Sequence, residues 1–450
     1  MIKDILYLAK NNDQKSFYLK GWITNNRGNK NIRFIEMNDG STVENLQLVI
    51  KKSPQLDLEQ ISSYKLGSAI EVRGKLSYTP NQKQIAELEV ETLLLVAEAD
   101  DDFPIQKKET SLEFLRTIPH IRHRTSTLRA ATLVRSTISF AIHEFFQSSG
   151  FALVASPIIT SNDGEGAGET FSIKNEQSSD PFFGKDVNPF LSVTGQLHAE
   201  AYALGMQKVY TFAPTFRAEN SHTTKHAAEF WMIEPEVSFY ELPDLIKLAD
   251  DMLRFVVDRV LKRNEAEIKF LSEVNNVDLF TRLKKLLVTN LKVLEYREAI
   301  KILKKANVDF ENKDIKFGTD LATEHERYLA EVYYQGPISI INYPKSFKAF
   351  YMYQNDDNET VAAFDLLVPG IGELIGGSQR ESRYDKLLNR VKELNIDEQS
   401  LQWYLDLRKY GYKASAGFGL GLERLIMYIT GMENIRDVLP FPRTPNNLKM

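Results

Sequence analysis

Between Val209 and Phe239 the chain reads VYTFAPTFRAENSHTTKHAAEFWMIEPEVSF. Two apolar, β-prone runs, 209–216 and 229–239, flank a polar middle at 218–228, the pattern of two strands joined by a long loop. Hairpin loops ordinarily hold about 2–5 residues, so this one is either a solvated excursion or a ligand loop. Arg217 and Glu219 stand at the strand edge, the loop carries His222, Lys225 and His226, and Phe230 opens the return strand. A fixed guanidinium, mobile cationic donors and an aromatic face suit a nucleoside triphosphate. His222 and His226 also have the i, i+4 spacing of a zinc-binding helix. The loop offers no third ligand, however, and HExxH does not occur.

A second constellation lies in TVAAFDLLVPGIGELIGGSQRE, residues 360–381. Asp365 and Glu373 are equidistant from Pro369, which sits in a turn signal between two apolar runs. In a hairpin centred there the two acids face each other, and opposed carboxylates repel unless a proton or cation lies between them. Mg2+, shared with substrate phosphate oxygens, is the natural occupant; the alternative is a different register with both acids exposed. Gly417, Gly419 and Gly421 let the backbone approach a ligand just before an apolar helix. They do not form GxGxxG, and GxxxxGK[ST] is absent. Residues 160–171, TSNDGEGAGETF, read as a flexible lid or as a solvated glycine turn.

These residues need a scaffold, and the flanking sequence describes one. Short alternating runs between residues 17 and 96, punctuated by Asn38-Asp39-Gly40 and Thr79-Pro80-Asn81, predict a five-stranded barrel of the OB type. Arg27, Lys30 and Arg33 lie near Phe34, phosphate-reading charge beside a stacking ring. An acidic, proline-broken, then basic stretch at 97–109 reads as a connector. Leu133, Ile138, Ile142 and Phe145 have helical spacing, Gly150 ends that helix, and a strand runs from 151 into Pro157. Residues 243–330 have helical periodicity, with no chemistry assigned to them.

Taken together, FRAENS with EFWMIEPE, the helix–strand–proline segment, and AGFGLGLERL with its MENIRDVLPFPRTP ending resemble motifs 2, 1 and 3 of class II aminoacyl-tRNA synthetases. The subgroup is that of aspartate, asparagine and lysine, and the form is that of the asparagine enzymes. The resemblance implies an α+β protein: an OB-type anticodon-binding barrel at 1–98, a linker at 99–118, and a catalytic domain at 119–450. That domain has an antiparallel sheet flanked by helices and a helical insert at about 243–335. It implies attachment of L-asparagine to tRNA(Asn) with ATP and Mg2+, by a homodimer joined through motif 1. Arg217 and Arg424 would be catalytic, and Glu219, His226 and Phe230 would join them on ATP. Glu165, Gln196, Glu234 and Arg380 would hold the amino acid, and Asp365 and Glu373 the metal. In the barrel, Phe34 would stack on the central anticodon base, Gln47 read a uridine edge, Arg27 hold backbone and Glu89 touch the first base. The aspartate enzymes carry a lysine three residues after that glutamine and an aspartate at the Glu234 position; here Ala199 and Glu234 favour a neutral carboxamide.

Composition bounds the rest. With 450 residues, 43% hydrophobic and 26% charged, two or three soluble globular domains are expected. There is no apolar run of about 18 residues and no signal-like N-terminus, which predicts a cytoplasmic protein without a membrane span. The absence of cysteine rules out disulfides, thiolate metal sites and thiol nucleophiles. A net charge of −5 argues against a general polyanion binder but not against RNA bound along a local basic stripe.

Overall fold

The structure, a computed structural model, describes residues 1–82, 84–108, 110–162, 164, 169–174, 181–185, 187–448 and 450. It has two compact units, one of residues 1–136 with 264–277, the other of residues 137–263 with 278–450. Among the described residues the strands form a closed five-stranded barrel, an eight-stranded sheet and a two-stranded ribbon.

The barrel belongs to the first unit. Its strands are β1 (Ser16–Gly28), β2 (Ile32–Asn38), β3 (Leu46–Lys51), β4 (Ala69–Tyr78) and β5 (Ala86–Ala97), closed in the order β1-β2-β3-β5-β4. Alternate residues point inward, as period-2 patterning requires, and Ile23, Ile35, Met37, Leu48, Ile50, Val72 and Leu88 fill the interior. Gly21 and Gly74 permit tight crossings, since a Cβ there would lie 2.6 Å and 2.2 Å from the carbonyls of Asn38 and Glu89. The helix Glu265–Val274, from within the stretch read as insert, belongs to this unit as well.

The second unit is built on the large sheet. Its strands are β6 (Ala152–Leu153), β9 (Lys208–Phe216), β10 (Glu229–Ser238), β11 (Lys292–Glu295), β12 (Ile338–Pro344), β13 (Thr360–Val368), β14 (Gly372–Gln379) and β15 (Ser415–Gly421). The remaining pair, β7 (Ile159–Thr160) and β8 (Phe190–Leu191), forms the ribbon. The order is β11-β12-β13-β14-β15-β10-β9-β6, antiparallel through the centre and parallel at both edges. The amphipathic helix Leu242–Arg263 lies along β13, β14 and β15, burying Leu245, Ala249, Met252, Val256 and Val260 at helical spacing. The insert is thus not wholly helical: β11 adds an edge strand to the catalytic sheet.

Along β15 every second residue is glycine, so one face of the strand is bare while Phe418 and Leu420 pack into the core. A Cβ at Gly417 would meet the Glu236 carboxylate at 2.1–2.3 Å, and one at Gly419 would meet Met232 Cε at 2.8 Å. At Gly421 the nearest atom is Arg424 Cγ, 3.9 Å away, which leaves open space above the sheet.

Candidate active site

That space is part of a cavity of about 500 Å3 in the second unit, floored by β10, β14 and β15. At one end, Arg217 directly follows β9, tied down by its N–H to the Ala228 carbonyl at 3.0 Å. Its guanidinium lies 5.5 Å from the centre of the Phe230 ring. Arg424 comes from the helix Leu422–Thr430 behind β15, and its Nη1 donates to Glu373 Oε2 at 3.1 Å. Glu219 and His226 also line this end, and His226 Nδ1 is hydrogen-bonded to Thr223 Oγ1. Burial, then the Arg424 charge, lowers the pKa of His226 and favours its neutral ring. The loop between the strands is pinned through Ile435 N–H to the Thr224 carbonyl (2.8 Å) and Ala228 N–H to the Arg443 carbonyl (2.7 Å). Lys225 Nζ donates to the Ile371 carbonyl at 2.8 Å.

At the other end stand Gln196 and Glu234. Glu234, 3% exposed, accepts from Thr194 on Oε1, and from Gly195 N–H (2.8 Å) and Thr211 (3.1 Å) on Oε2. A carboxylate has about four acceptor sites, so one remains on Oε1. Gln196 opens the helix Gln196–Met206, and among the described residues its buried Nε2 has no acceptor. Arg380 is not on the cavity wall. Its guanidinium is held by Glu236 through Nε (3.1 Å) and Nη2, and its Nη1 donates to Ser378 at 2.9 Å. It sits 5.1 Å from the ring centre of Tyr351, which does line the cavity, and one N–H is left on each of Nη1 and Nη2. Glu165 lies outside the described residues.

The symmetric hairpin expected around Pro369 is not the one formed. Asp365 pairs with Gly376 and Glu373 with Leu367, because a bulge beside Leu366 inserts Leu374 as an additional residue. The two carboxylates nevertheless converge. A Cβ built on Gly376 would lie 3.0 Å from Glu373 Oε1 and 3.3 Å from Asp365 Oδ1. Lys348 Nζ donates to Asp365 at 3.0 Å. Burial opposes the ammonium, yet the neighbouring carboxylate holds its pKa above the usual lysine value.

In the barrel, Arg27 and Phe34 are cross-strand partners, with the guanidinium 5.1 Å from the ring centre. Arg27 Nη2 donates to Gln47 Oε1 at 2.8 Å, and Gln47 Nε2 donates to Glu87. Glu89 lies two pairs further along, opposite Val49, with Lys51 at 3.5 Å.

Residues 111–445 match the family model "tRNA synthetases class II (D, K and N)". The chain belongs to the class II tRNA synthetases of the D, K and N group. Residues 17–93 match an OB-fold nucleic acid binding domain. Asparagine–tRNA ligase of Mycoplasmopsis pulmonis is 62% identical over 450 residues, covering 100% of this chain and 99% of that one. The enzyme of the same name from Mycoplasma mobile is 63% identical over 449 residues, with the same coverage. Among solved structures, asparaginyl-tRNA synthetase from Pyrococcus horikoshii complexed with asparaginyl-adenylate superimposes with a TM-score of 0.87 at 33% identity, covering 97% of each chain.

Within this synthetase, the structure therefore gathers Arg217, Glu219, His226, Phe230, Arg424, Gln196, Glu234 and Glu373 around one cavity and sets Arg380 behind it. Ala199 is not on the wall either; it packs with Val154, Ala203 and Val209 in a small core, so the carboxamide argument rests on Glu234. Several residues escaped sequence reading. Glu236 had a visible signal, since EPE puts two acids on one face of a strand. Thr194, Thr211 and Lys348 had none, because their partners are 17 to 40 residues away.

Proposed function

We propose that the chain attaches L-asparagine to tRNA(Asn) with ATP, through an asparaginyl-adenylate. The observation that carries this is the two-ended cavity. Its lining cations Arg217, Lys225 and Arg424 are all at the nucleotide end. The amino-acid end offers a spare acceptor on Glu234 and a spare donor on Gln196. A carboxamide NH2 matches the Glu234 acceptor, whereas a second carboxylate would face it with like charge. Arg380, fixed by Glu236, has N–H groups left for the carboxamide oxygen.

In the reaction, the asparagine carboxylate attacks the α-phosphorus of ATP in line, forming the acyl phosphate bond as the bond to pyrophosphate breaks. Arg217 neutralises charge on the α-phosphate, and adenine stacks between Phe230 and Arg424, with Glu219 and His226 beside it. The acyl group then passes to a hydroxyl of the terminal ribose of tRNA, releasing AMP. Substrate atoms supply both nucleophiles, so positioning and charge neutralisation carry the rate.

The cradle over Gly376 fits magnesium. Two carboxylate oxygens face a space that any side chain there would fill, and Mg2+ ordinarily takes one or two protein carboxylates and completes its shell with phosphate oxygens and water. Asp365 and Glu373 would hold it, and when bound it supplies positive charge to the polyphosphate. Two further assignments complete the reading. Exposed Phe140, Leu153, Ile158 and Ile159 in the motif 1 segment support a homodimer joined there. The protein acts in the cytoplasm, in keeping with a chain in which no described helix is long and apolar enough to cross a membrane.

The deciding experiment is ATP–pyrophosphate exchange with asparagine, aspartate and lysine in parallel. Asparagine should support exchange at least about 10³-fold better than aspartate, the discrimination open to a site whose polar groups the analogue leaves unmatched. Comparable exchange with aspartate would overturn the specificity. On the barrel, Phe34→Ala should raise KM for tRNA(Asn) about tenfold or more, as loss of one base stack of about 1–3 kcal/mol requires, and leave exchange unchanged. Aminoacylation kinetics check this, and an unaltered KM would remove Phe34 from the anticodon contact.

A further inference from the structure

The turn between β13 and β14 carries Glu373 at its exit, and three of its backbone groups are held by side chains from outside the hairpin. Gly370 N–H donates to Glu331 at 2.6 Å, Glu373 N–H donates to Glu326 at 3.0 Å, and the Ile371 carbonyl accepts from Lys225 at 2.8 Å. Both acids come from the insert expected at about 243–335. Glu326 lies in the short helix Thr323–Arg327, and Glu331 in the π-helical turn Tyr328–Tyr333 that continues it. π-helical winding bonds residues five apart, so acids with that spacing reach the same turn. Arg327 Nε grips Glu331 at 2.8 Å and keeps it there.

The fit at Glu326 is close. Gly372 has φ +85°, and a Cβ on it would lie 2.6 Å from Glu326 Oε2. Glycine is thus required both by the backbone and by the carboxylate pressed against it. Among the described residues no group of three acidic or histidine side chains is placed to hold a metal.

We propose that Glu326 is a positioning residue for the nucleotide step. By accepting the Glu373 N–H it fixes the bulged start of β14, so that the Glu373 carboxylate meets that of Asp365 over Gly376. Glu331 holds the same turn one contact further back. The proposal rests on the reading of Asp365 and Glu373 as the magnesium pair.

The test follows metal binding as well as rate. Mn2+ is titrated by electron paramagnetic resonance against the full-length protein with a non-hydrolysable ATP analogue, alongside the Mg2+ dependence of pyrophosphate exchange and thermal unfolding. Glu326→Ala should weaken Mn2+ binding, and raise the Mg2+ needed for half-maximal exchange, by about tenfold, the effect of one unmet buried N–H. Glu326→Gln retains an acceptor and should stay within about twofold of the parent. Should the alanine variant fail to fold, Gly372→Ala, which drives a methyl into Glu326, is expected to give the same metal defect. Normal metal dependence in Glu326→Ala or in Gly372→Ala, whatever the thermal shift, would overturn the proposal. So would a glutamine variant as impaired as alanine. Asp365→Asn separates the two readings: if it binds Mn2+ normally, the magnesium pair is wrong and the proposal falls with it. If it loses Mn2+ while Glu326→Ala does not, only the positioning role fails.

Discussion

Replacing Arg217 by alanine will slow asparagine-dependent pyrophosphate exchange by about 10²- to 10³-fold, the usual effect of deleting one preorganised donor from a charge-developing site. Three features point to so large an effect. The residue leaves β9 with its own N–H fixed to Ala228, so the guanidinium starts from a rigid backbone. Its plane lies near Phe230, which limits the directions it can take. It also lines the cavity at the end where the other cations, Lys225 and Arg424, gather. Burial lowers the Lys225 pKa, with Arg424 adding to the effect, and that ammonium is already committed to the Ile371 carbonyl, so it cannot stand in. Arg217→Lys should recover only part of the loss, because a point charge lacks the planar fork that binds two phosphate oxygens together. The loss should fall on kcat more than on KM for ATP. If KM alone rises, Arg217 binds the ground state and transition state equally, and its assignment to the α-phosphate in the reaction is wrong.

Much of this site was legible in the sequence because its residues are local to elements with strong periodicity. The β9–β10 hairpin announces itself by two β-prone runs around a polar loop, and Arg217, Glu219, His226 and Phe230 ride on it. The barrel follows from alternating runs cut by Asn, Gly and Pro. What was misread depends on register and closure, which no local pattern encodes. The Asp365–Glu373 hairpin looked symmetric about Pro369, yet Gly370 and Gly372, both at positive φ, allow an asymmetric turn with a bulge, and the acids converge by a different route. Glu87, on the same strand face as Glu89, is the residue opposite Gln47, a pairing that barrel closure sets through the parallel β3–β5 register. The edge strand β11 is only four residues long and lies between helical patterns, so periodicity absorbed it. Ala199 is on the correct helix, but at a position that packs into the core. Glu326 and Glu331 were hidden most thoroughly: their partners are backbone groups about forty residues away, which leave no mark on residue type.

Removing Glu236 should destabilise the catalytic unit by about 3–5 kcal/mol, the cost of leaving a buried charge without its partner. Arg380 is 2% exposed and Glu236 fully buried, and the two meet through both Nε and Nη2. Burial pushes the Glu236 carboxyl up to about 7, against the opposing pull of the guanidinium bonded to it at two points. Glu236→Ala therefore strands a guanidinium in the core, and urea unfolding followed by tryptophan fluorescence will read the loss. Gly417→Ala reaches the same result sterically, since its methyl would fall on the carboxylate. A double replacement, Glu236→Met with Arg380→Met, separates stability from function. Apolar pairs of similar volume can match a buried ion pair, so the double variant should unfold at higher urea than Glu236→Ala. It should still fail in pyrophosphate exchange with asparagine if, as proposed, the Arg380 N–H groups meet the carboxamide oxygen. If instead the stable double variant exchanges normally, Arg380 serves only to pack the wall behind Tyr351, and recognition of the side chain falls to Glu234 alone.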